Sequence, residues 1–490
     1  MSEFSEKLSY YIAQSGYNVY QLAKEASIDR TTLQKTVKGQ RLPSVEYVKD
    51  ICKYIKISKA QEEELLQLYK TEKLGRNVIE AWAEIHHMIL DISELRKRSE
   101  GNTIWNLHFD RQSVESLELE EQQVFTSQME IMRAVMYMVE KEIIEEDEPE
   151  IYMDVSYASQ YALDQLVQSD NFTEKPIVCH QLANLRRTEN SKDGLVTNFQ
   201  ILRQVLPNAF AFHQKYDICY TYVTGGMEDR KCDLWPHYIV THKHVFLCSE
   251  GRYHAVLFSD DNIAECYRQE LKQLMRSYRP LFDYQGFSGD GICKYRQMNE
   301  YTESHIIYEM FPCFALLVPE EMKETLKQDA SVGTYAKAFF EQADIPANQI
   351  VNIFGMKGMK HFILTGELPG IFSHYIPGVS METRKAMLAN FYQHLKNQTR
   401  EFYMINEEEY SVSDGFGIEL YGKNKVAFCT TSDDIPFGFI MLDEPGICET
   451  FYSYMENLLD SKYLYSKEET IVKFEEMVRA CFSEADKVTE

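Results

Sequence analysis

The hydrophobic and polar positions of the first sixty residues follow the spacing of five short helices. In the first helix, apolar residues recur every three or four positions: Phe4, Leu8, Tyr11 and Ile12. Gly16 ends that helix, because glycine adopts the left-handed conformation that follows a helix at little cost. Capping residues and glycines predict two further helices over residues 19–26 and 30–38, and two more that begin at Pro43-Ser44 and at Ser58.

The second and third predicted helices are joined by a three-residue turn, which is the arrangement of a helix-turn-helix unit. Its packing needs a small residue at the helix crossing and apolar residues between the helices, and the chain offers Ala23, Ile28 and Leu33 there. The outer face of the third helix is polar, with side chains that can reach base edges or phosphates in a major groove. The candidate DNA-binding residues on this helix and beside it are Asn18, Gln21, Arg30, Thr31, Thr32, Gln34, Lys35, Lys38, Gln40 and Arg41.

Three stretches carry the pattern of a known family: Gln21-Leu22-Ala23, Asp29-Arg30-Thr31-Thr32-Leu33 and Gly39-Gln40-Arg41-Leu42-Pro43-Ser44. Over about residues 4–70 the chain resembles the XRE family of phage-repressor-like helix-turn-helix domains. The resemblance implies that the third helix reads an operator sequence and that the protein binds double-stranded DNA as a homodimer.

Three residues depart from the family pattern without removing the DNA-facing polar set. Ser27 stands where glycine is frequent, Thr36 where an aliphatic residue is usual, and Val37 where an acidic residue is usual. The alternative interpretation of this segment is a five-helix module that binds other proteins and has no role at DNA.

From Ser58 to Leu95 the helical spacing of apolar residues continues, with a break near Gly75. Two interpretations stay open: the apolar stripe packs on the protein's own body, or it pairs two subunits. Residues 115–150 hold 12 Asp or Glu and include a methionine-rich apolar face, which serves as core or as a binding groove. We assign residues 71–150 to a helical linker or dimerisation region.

Beyond residue 150, short apolar runs alternate with longer amphipathic ones, which is the pattern of an α/β fold. The predicted strands cover residues 218–223, 237–240, 245–248 and 255–258, and the predicted helices cover residues 263–277, 322–327 and 383–396.

The same region matches itself, first at an offset of 181 residues and then, after a turn three residues longer, at 184. The matched pairs in the helix are Leu206 with Met387, Phe210 with Phe391 and His213 with His394. Residues 245–248 then fall on 426–429, and residues 258–274 fall on 442–458. The match predicts two related lobes, 151–283 and 284–490. Two such lobes usually enclose a cleft, and clefts take small molecules.

His213-x-Lys215 and His394-x-Lys396 occupy equivalent places in this repeat. Phospholipase D-like enzymes are bilobed and use His-x-Lys followed by an aspartate, so the chain resembles a degenerate relative of them. Tyr220 and Glu401 stand at the position of that acid, and each His-x-Lys pair is predicted at a helix end instead of on a strand. We therefore predict no catalytic residues, no cofactor and no enzyme activity.

The charge is distributed very unevenly along the chain. The whole sequence has a net charge of −25, yet residues 1–60 carry 10 Lys or Arg against 6 Asp or Glu, a net of +4. The other 430 residues therefore carry −29. Such an acidic remainder repels DNA, so contact with phosphates is expected only at the N-terminal segment.

Composition excludes several classes of protein. With 44% hydrophobic residues the chain is not disordered. No apolar run approaches the ~20 residues of a membrane helix, and the first residues lack the pattern of a secretion signal. The 11 cysteines form no Cys-x-x-Cys pair, so we expect reduced thiols and no metal site. A cytoplasmic protein without membrane association is predicted.

The predicted fold is a multidomain α and α/β protein with an all-α helix-turn-helix domain at residues 1–70, the helical linker, and a two-lobed α/β body with an internal repeat. The predicted function is a bacterial-type, sequence-specific transcriptional regulator whose C-terminal region senses a small-molecule or protein effector. Two alternatives are a partner-controlled adaptor with a DNA-binding head, and a degenerate phospholipase D-like enzyme.

Overall fold

A computed structural model describes most of the chain. The described residues are 2–99, 120–168, 177–187, 194–212, 215–223, 234–251, 253–286, 304–328, 337, 340, 350–367, 378–397, 400–410, 416–430 and 438–488. The chain divides into two compact units, Met1–Ala83 and Glu84–Glu490, which we call the head and the body. No helix among the described residues is long and apolar enough to cross a membrane.

The head is built from five helices and the start of a sixth. They are α1 (Glu3–Gln14), α2 (Val19–Glu25), α3 (Arg30–Val37), α4 (Val45–Ile55), α5 (Lys59–Leu74) and α6 (Arg76–Ser99). The first five begin at polar residues whose side chains accept a backbone N–H of the first turn: Ser2, Asn18, Asp29, Ser44 and Ser58. Leu8, Leu22, Leu33, Ile51 and Leu65 are all buried, so the helices enclose one apolar core.

The turn between α2 and α3 has the geometry that the sequence predicts. Ser27 adopts a left-handed φ of +53°, the conformation for which glycine is the usual choice. Helix α2 ends at Glu25, one residue before the predicted end, because Ala26 forms its C-cap. Gly39, with a φ of +67°, follows α3 where the sequence places the stop.

Thr36, the residue that departs from the aliphatic pattern, is 1% exposed on the inner side of α3. Its hydroxyl oxygen has no hydrogen-bond partner among the described residues, and a buried unpaired hydroxyl destabilises the fold. We expect Thr36→Val, which keeps the shape and removes the hydroxyl, to stabilise the head by about 1 kcal/mol. Amide hydrogen exchange in α3 measures the change, and lower protection in the variant would contradict it.

Helix α6 continues into the body, where its apolar stripe is buried. Ile85, Met88, Ile89 and Ile92 are each at most 5% exposed. Arg203, which lies outside α6, forms hydrogen bonds with two acidic residues of this helix. Its Nε donates to Asp91 Oδ2 at 2.5 Å, and its Nη1 donates to Glu84 Oε2 at 3.2 Å. Of the two interpretations of this apolar stripe, packing on the protein's own body or pairing of two subunits, the structure therefore shows the first for residues 84–92.

The first lobe contains an eight-stranded sheet, which we call sheet A. Its strands lie in the order β1-β7-β6-β5-β2-β3-β4-β8, and β2, β3 and β4 run parallel. The strands are β1 (Gln122–Phe125), β2 (Glu150–Asp154), β3 (Val178–Arg186), β4 (Tyr216–Val223), β5 (His237–Val240), β6 (His244–Cys248), β7 (Ala255–Ser259) and β8 (Arg279–Pro280). The helices of this lobe are α7 (Gln128–Glu145), α8 (Tyr157–Gln168), α9 (Gly194–Phe212) and α10 (Asp261–Ser277).

The second lobe contains a seven-stranded sheet, sheet B, in the order β12-β11-β10-β13-β14-β15-β9. Its strands are β9 (Asp283–Gly286), β10 (His305–Glu309), β11 (Ile350–Phe354), β12 (Glu401–Met404), β13 (Phe416–Tyr421), β14 (Lys425–Thr430) and β15 (Gly438–Leu442). The helices are α11 (Phe314–Leu317), α12 (Glu320–Gln328), α13 (Met356–Thr365), α14 (Met381–Asn397), α15 (Pro445–Leu459) and α16 (Lys467–Val488).

The two lobes share one topology, which confirms the internal repeat. Followed from β1 in sheet A and from β9 in sheet B, seven strands occur in the same order with the same parallel and antiparallel pairings. The matched sequence stretches occupy equivalent elements: α9 with α14, β6 with β14, and α10 with α15. Leu206, Phe210, Met387 and Phe391 are all buried, so the repeated residues are core residues.

Residues 122–145, which the sequence places in the linker, belong to the first lobe instead and form β1 and α7. Strand β1 pairs with β7 at the edge of the sheet. The Glu142 carboxylate on α7 accepts hydrogen bonds from the backbone N–H groups of Glu150 and His242, at 2.9 and 3.0 Å. Buried hydrogen bonds of this kind fix the helix against the sheet, so the first lobe begins before residue 151.

The lobes pack together through their helices. The rings of Phe199 on α9 and Phe451 on α15 meet edge to face, with centroids 5.4 Å apart. Tyr222 on β4 donates a hydrogen bond of 2.5 Å to Glu444, which also caps α15. Of the nine cysteines that the structure describes, none forms a disulfide and seven are buried.

Candidate nucleic-acid interface

Helix α3 separates its side chains between core and solvent. Leu33 and Thr36 are buried inside the head. Arg30, Thr31, Gln34 and Lys35 are exposed on the outside, and Thr32 is partly exposed. The helix therefore presents a continuous polar face, as an element that enters the major groove must.

The start of α3 is fixed by a residue that the sequence analysis assigned only to the turn. Asp29 Oδ1 accepts the backbone N–H of Thr32 at 2.6 Å, which caps the helix. Hydrogen bonds from Thr32 hold the pKa of the Asp29 carboxyl below its usual value. Tyr47 on α4 donates to the Asp29 carbonyl at 3.2 Å, so α4 supports this end of α3. The spacing from Asp29 to Thr32 is a capping signal in the sequence.

Two candidate residues are in direct contact. Arg41 Nη1 donates to Thr32 Oγ1 at 3.3 Å, across the loop that follows α3. The sequence predicts Thr32 on the base-reading helix and Arg41 in the loop, and in the structure the two side chains are in contact. Only the folded loop can reveal this pair, since nine residues separate the two along the chain.

Arg30 lies over an aromatic ring that the sequence analysis did not single out. The Arg30 guanidinium carbon is 5.2 Å from the centroid of the Tyr20 ring on α2. Tyr20 is 56% exposed, so it is not part of the core. The sequence shows a tyrosine near the start of α2, but it does not predict the contact with Arg30. That contact depends on how α2 and α3 cross.

Asn18 and Gln21 cap α2 with a reciprocal pair of hydrogen bonds. Asn18 Oδ1 accepts the Gln21 N–H at 2.9 Å, and Gln21 Oε1 accepts the Asn18 N–H at 3.3 Å. Both residues are exposed, and each keeps side-chain amide donors that can face a phosphate. The structure thus gives these two candidates a structural role beside the predicted one.

The other predicted residues stand free on the surface. The side chains of Lys35, Lys38 and Gln40 are exposed and make no hydrogen bond or ion pair with any residue that the structure describes. From residue 18 to residue 41 the sequence has five Lys or Arg and two Asp or Glu. This part of the head is therefore net positive and open to an anionic partner.

Residues 8–61 match the family model described as helix-turn-helix. The head thus carries a helix-turn-helix domain of the XRE type. The match begins in α1 and ends in α5, and it does not extend into the body. No curated protein sequence matches the chain.

Three solved structures show weak similarity to the chain that contains this helix-turn-helix domain. An archaeal chromatin protein described with a novel mode of DNA binding is 11% identical over 55% of this chain and 91% of its own, with a TM-score of 0.22. A phosphatidylserine synthase from Haemophilus influenzae is 11% identical over 81% and 99%, with a TM-score of 0.25. A polyphosphate kinase from Porphyromonas gingivalis is 10% identical over 79% and 60%, with a TM-score of 0.21. Scores this low support neither a common fold nor a common activity.

Three of the four residues of the two His-x-Lys pairs lie in the part of the chain that the structure describes. His213 lies outside the described residues, whereas Lys215 is exposed. Lys396 lies over the ring of Tyr392 at 4.5 Å, on the same helix. Burial lowers the pKa of His394, and Glu401 pairs with Lys467 at 3.0 Å. Tyr220 lies buried on β4 of the other lobe.

Buried polar groups in the body mostly bind one another. His180 contacts Glu150 at 3.0 Å and Asp217 at 3.3 Å, and Arg268 donates to Glu150 at 2.8 Å. Burial favours a higher pKa for Glu150, but the bonds from His180 and Arg268 outweigh it and hold that pKa well below its usual range. In the second lobe His305 pairs with Glu419 at 3.1 Å. Among the described residues, no group of His, Cys, Asp and Glu is arranged to hold a metal ion.

Proposed function

We propose that this protein is a sequence-specific DNA-binding transcriptional regulator whose body senses a signal. The observation that carries the DNA-binding part is the polar face of α3, held in place by the Asp29 cap and by the buried Leu33. The helix-turn-helix match at residues 8–61 supports the same conclusion. The recognition helix contacts base edges, while Lys38, Gln40 and Arg41 contact the phosphate backbone.

Selection from a pool of randomised duplexes tests this proposal. The full-length protein is expected to enrich one sequence motif, because Arg30, Thr31, Thr32 and Gln34 present directed donors and acceptors. If the protein binds as a homodimer, as we propose, the motif contains two half-sites one helical turn apart or a multiple of it. Enrichment of no sequence at all would contradict the proposal.

The sensing role of the body is supported by the way α6 is held. Its residues Glu84 and Asp91 pair with Arg203 of the first lobe. His86, between them, meets the Tyr410 ring of the second lobe edge to face at 4.9 Å and lies 3.5 Å from the Tyr454 hydroxyl. Because α6 contacts both lobes, a ligand or protein that changes how the lobes pack also changes the contacts of α6. Helix α6 also contains the boundary with the head.

Replacing Arg203 with alanine tests the attachment of α6. The substitution removes both ion pairs, and we expect residues 84–92 to exchange amide hydrogens about five-fold faster, which corresponds to ~1 kcal/mol for a partly exposed pair. Arg276→Ala on α10 is the control, because Arg276 is exposed and makes no ion pair with a described residue. Unchanged exchange in Arg203→Ala would show that the ion pairs do not hold this helix.

A further inference from the structure

The Arg30 guanidinium is placed by an aromatic ring and not by a carboxylate. The guanidinium carbon lies 5.2 Å from the Tyr20 ring centroid. The two acidic residues nearest in the sequence bind other groups. Glu25 accepts a hydrogen bond from Tyr17 at 2.8 Å, and Asp29 caps α3 through Thr32. Arg30 makes no ion pair with any described residue, so its N–H donors stay free.

This arrangement restricts the arginine without using its hydrogen-bonding capacity. An exposed arginine side chain samples many rotamers, and binding a base costs the entropy of fixing one of them. A ring beneath the guanidinium favours a small set of positions through the cation–π interaction. A carboxylate partner would have fixed the side chain too, but it would have occupied the same N–H groups that a base needs.

The position of Tyr20 agrees with a role outside the core. It is the second residue of α2 and 56% exposed, whereas Leu22 and Ala23 on the same helix are buried. A large apolar ring that is left in water contributes little to folding. Among the described residues, its ring lies against the guanidinium of Arg30, the first residue of the recognition helix, and its hydroxyl makes no hydrogen bond.

We infer that Tyr20 is a positioning residue that holds the Arg30 guanidinium ready to bind the O6 and N7 atoms of a guanine in the major groove. This role rests on the proposed DNA-binding function. It specifies guanine as the base that Arg30 binds and Tyr20 as the residue that positions Arg30. A bidentate contact of arginine with guanine is geometrically favoured, and preordering the guanidinium plane makes that contact selective.

A double-mutant cycle tests the inference with the full-length protein. The four proteins are wild type, Tyr20→Ala, Arg30→Ala and the double variant, and the probe is the duplex enriched by wild type in the selection. We expect Tyr20→Ala to weaken binding about three-fold, as for an exposed cation–π contact, and to have no further effect when Arg30 is already alanine. Tyr20→Phe keeps the ring and is expected to bind like wild type.

Two further readouts separate positioning from contact. In Tyr20→Ala the preference for guanine at the base that Arg30 reads should fall, while the slope of affinity against salt stays unchanged. Equal losses from Tyr20→Ala with and without Arg30 would overturn the inference. A loss in Tyr20→Phe as large as in Tyr20→Ala would also overturn it, because the hydroxyl and not the ring would then carry the effect. If wild type enriches no sequence, the proposed function fails first, and the two failures are distinguishable.

Discussion

Arg30→Ala is expected to lower the affinity for the selected duplex about 30-fold, which corresponds to ~2 kcal/mol for the loss of a bidentate base contact. The same variant should retain most of its affinity for unrelated duplexes, because the phosphate contacts remain. Arg30 is exposed and outside the core, so the unfolding transition of the head should not change. Fluorescence anisotropy with labelled duplexes measures both affinities.

Lys38→Ala is the matched comparison for this prediction. Lys38 is exposed just after α3 and carries the same charge, and we propose that it contacts the DNA backbone instead of a base. Its loss should weaken binding to all duplexes alike and lower the salt slope by about one. If Arg30→Ala also behaves in this way, Arg30 contacts a phosphate and base reading lies elsewhere on the helix.

Glu142→Leu is expected to destabilise the body by about 3–5 kcal/mol, since it removes one partner from a buried charged network. The Glu142 side chain accepts two backbone N–H groups, and its Oε1 lies 2.5 Å from His242 Nδ1. Leucine fills the space but leaves these donors buried without an acceptor. Urea unfolding followed by circular dichroism measures the loss.

Two variants make this result specific. Glu142→Gln keeps an acceptor oxygen and should lose less stability than Glu142→Leu. Glu145→Ala removes an exposed carboxylate that pairs with Lys243, so its cost should stay within about 1 kcal/mol. A small effect of Glu142→Leu would mean that the hydrogen bonds of Glu142 do not anchor α7 to sheet A.

The head could be derived from sequence almost completely because its signals are local. Each of its first five helices begins at a polar cap and ends at a glycine or a turn, and both depend only on neighbouring residues. The contacts of Arg30 with Tyr20 and of Arg41 with Thr32 were not predictable in this way. They join residues on different elements, and their geometry follows from how α2, α3 and the loop pack.

Much less of the body could be predicted from the sequence. The sequence shows the repeat only from Leu206 onward, whereas the two lobes share their topology from the first strands. Residues 151–154 of β2 and 305–308 of β10 lie at equivalent positions in the two sheets, but no pair of aligned residues is identical. Backbone hydrogen bonds define a sheet, and many side chains fit the same strand. For this reason β1 was not predicted. The apolar helical face of α7 was visible in the sequence, but no local signal assigned it to the first lobe instead of to a linker.

Sequence-specific binding by α3 is decided by one ratio, that of the affinities for the selected duplex and for a scrambled duplex. It is measured with the full-length protein at 0.15 M salt. We expect a ratio of roughly 10³ or more, the usual difference between specific and non-specific binding. A ratio near one would show that the polar face of α3 does not read sequence.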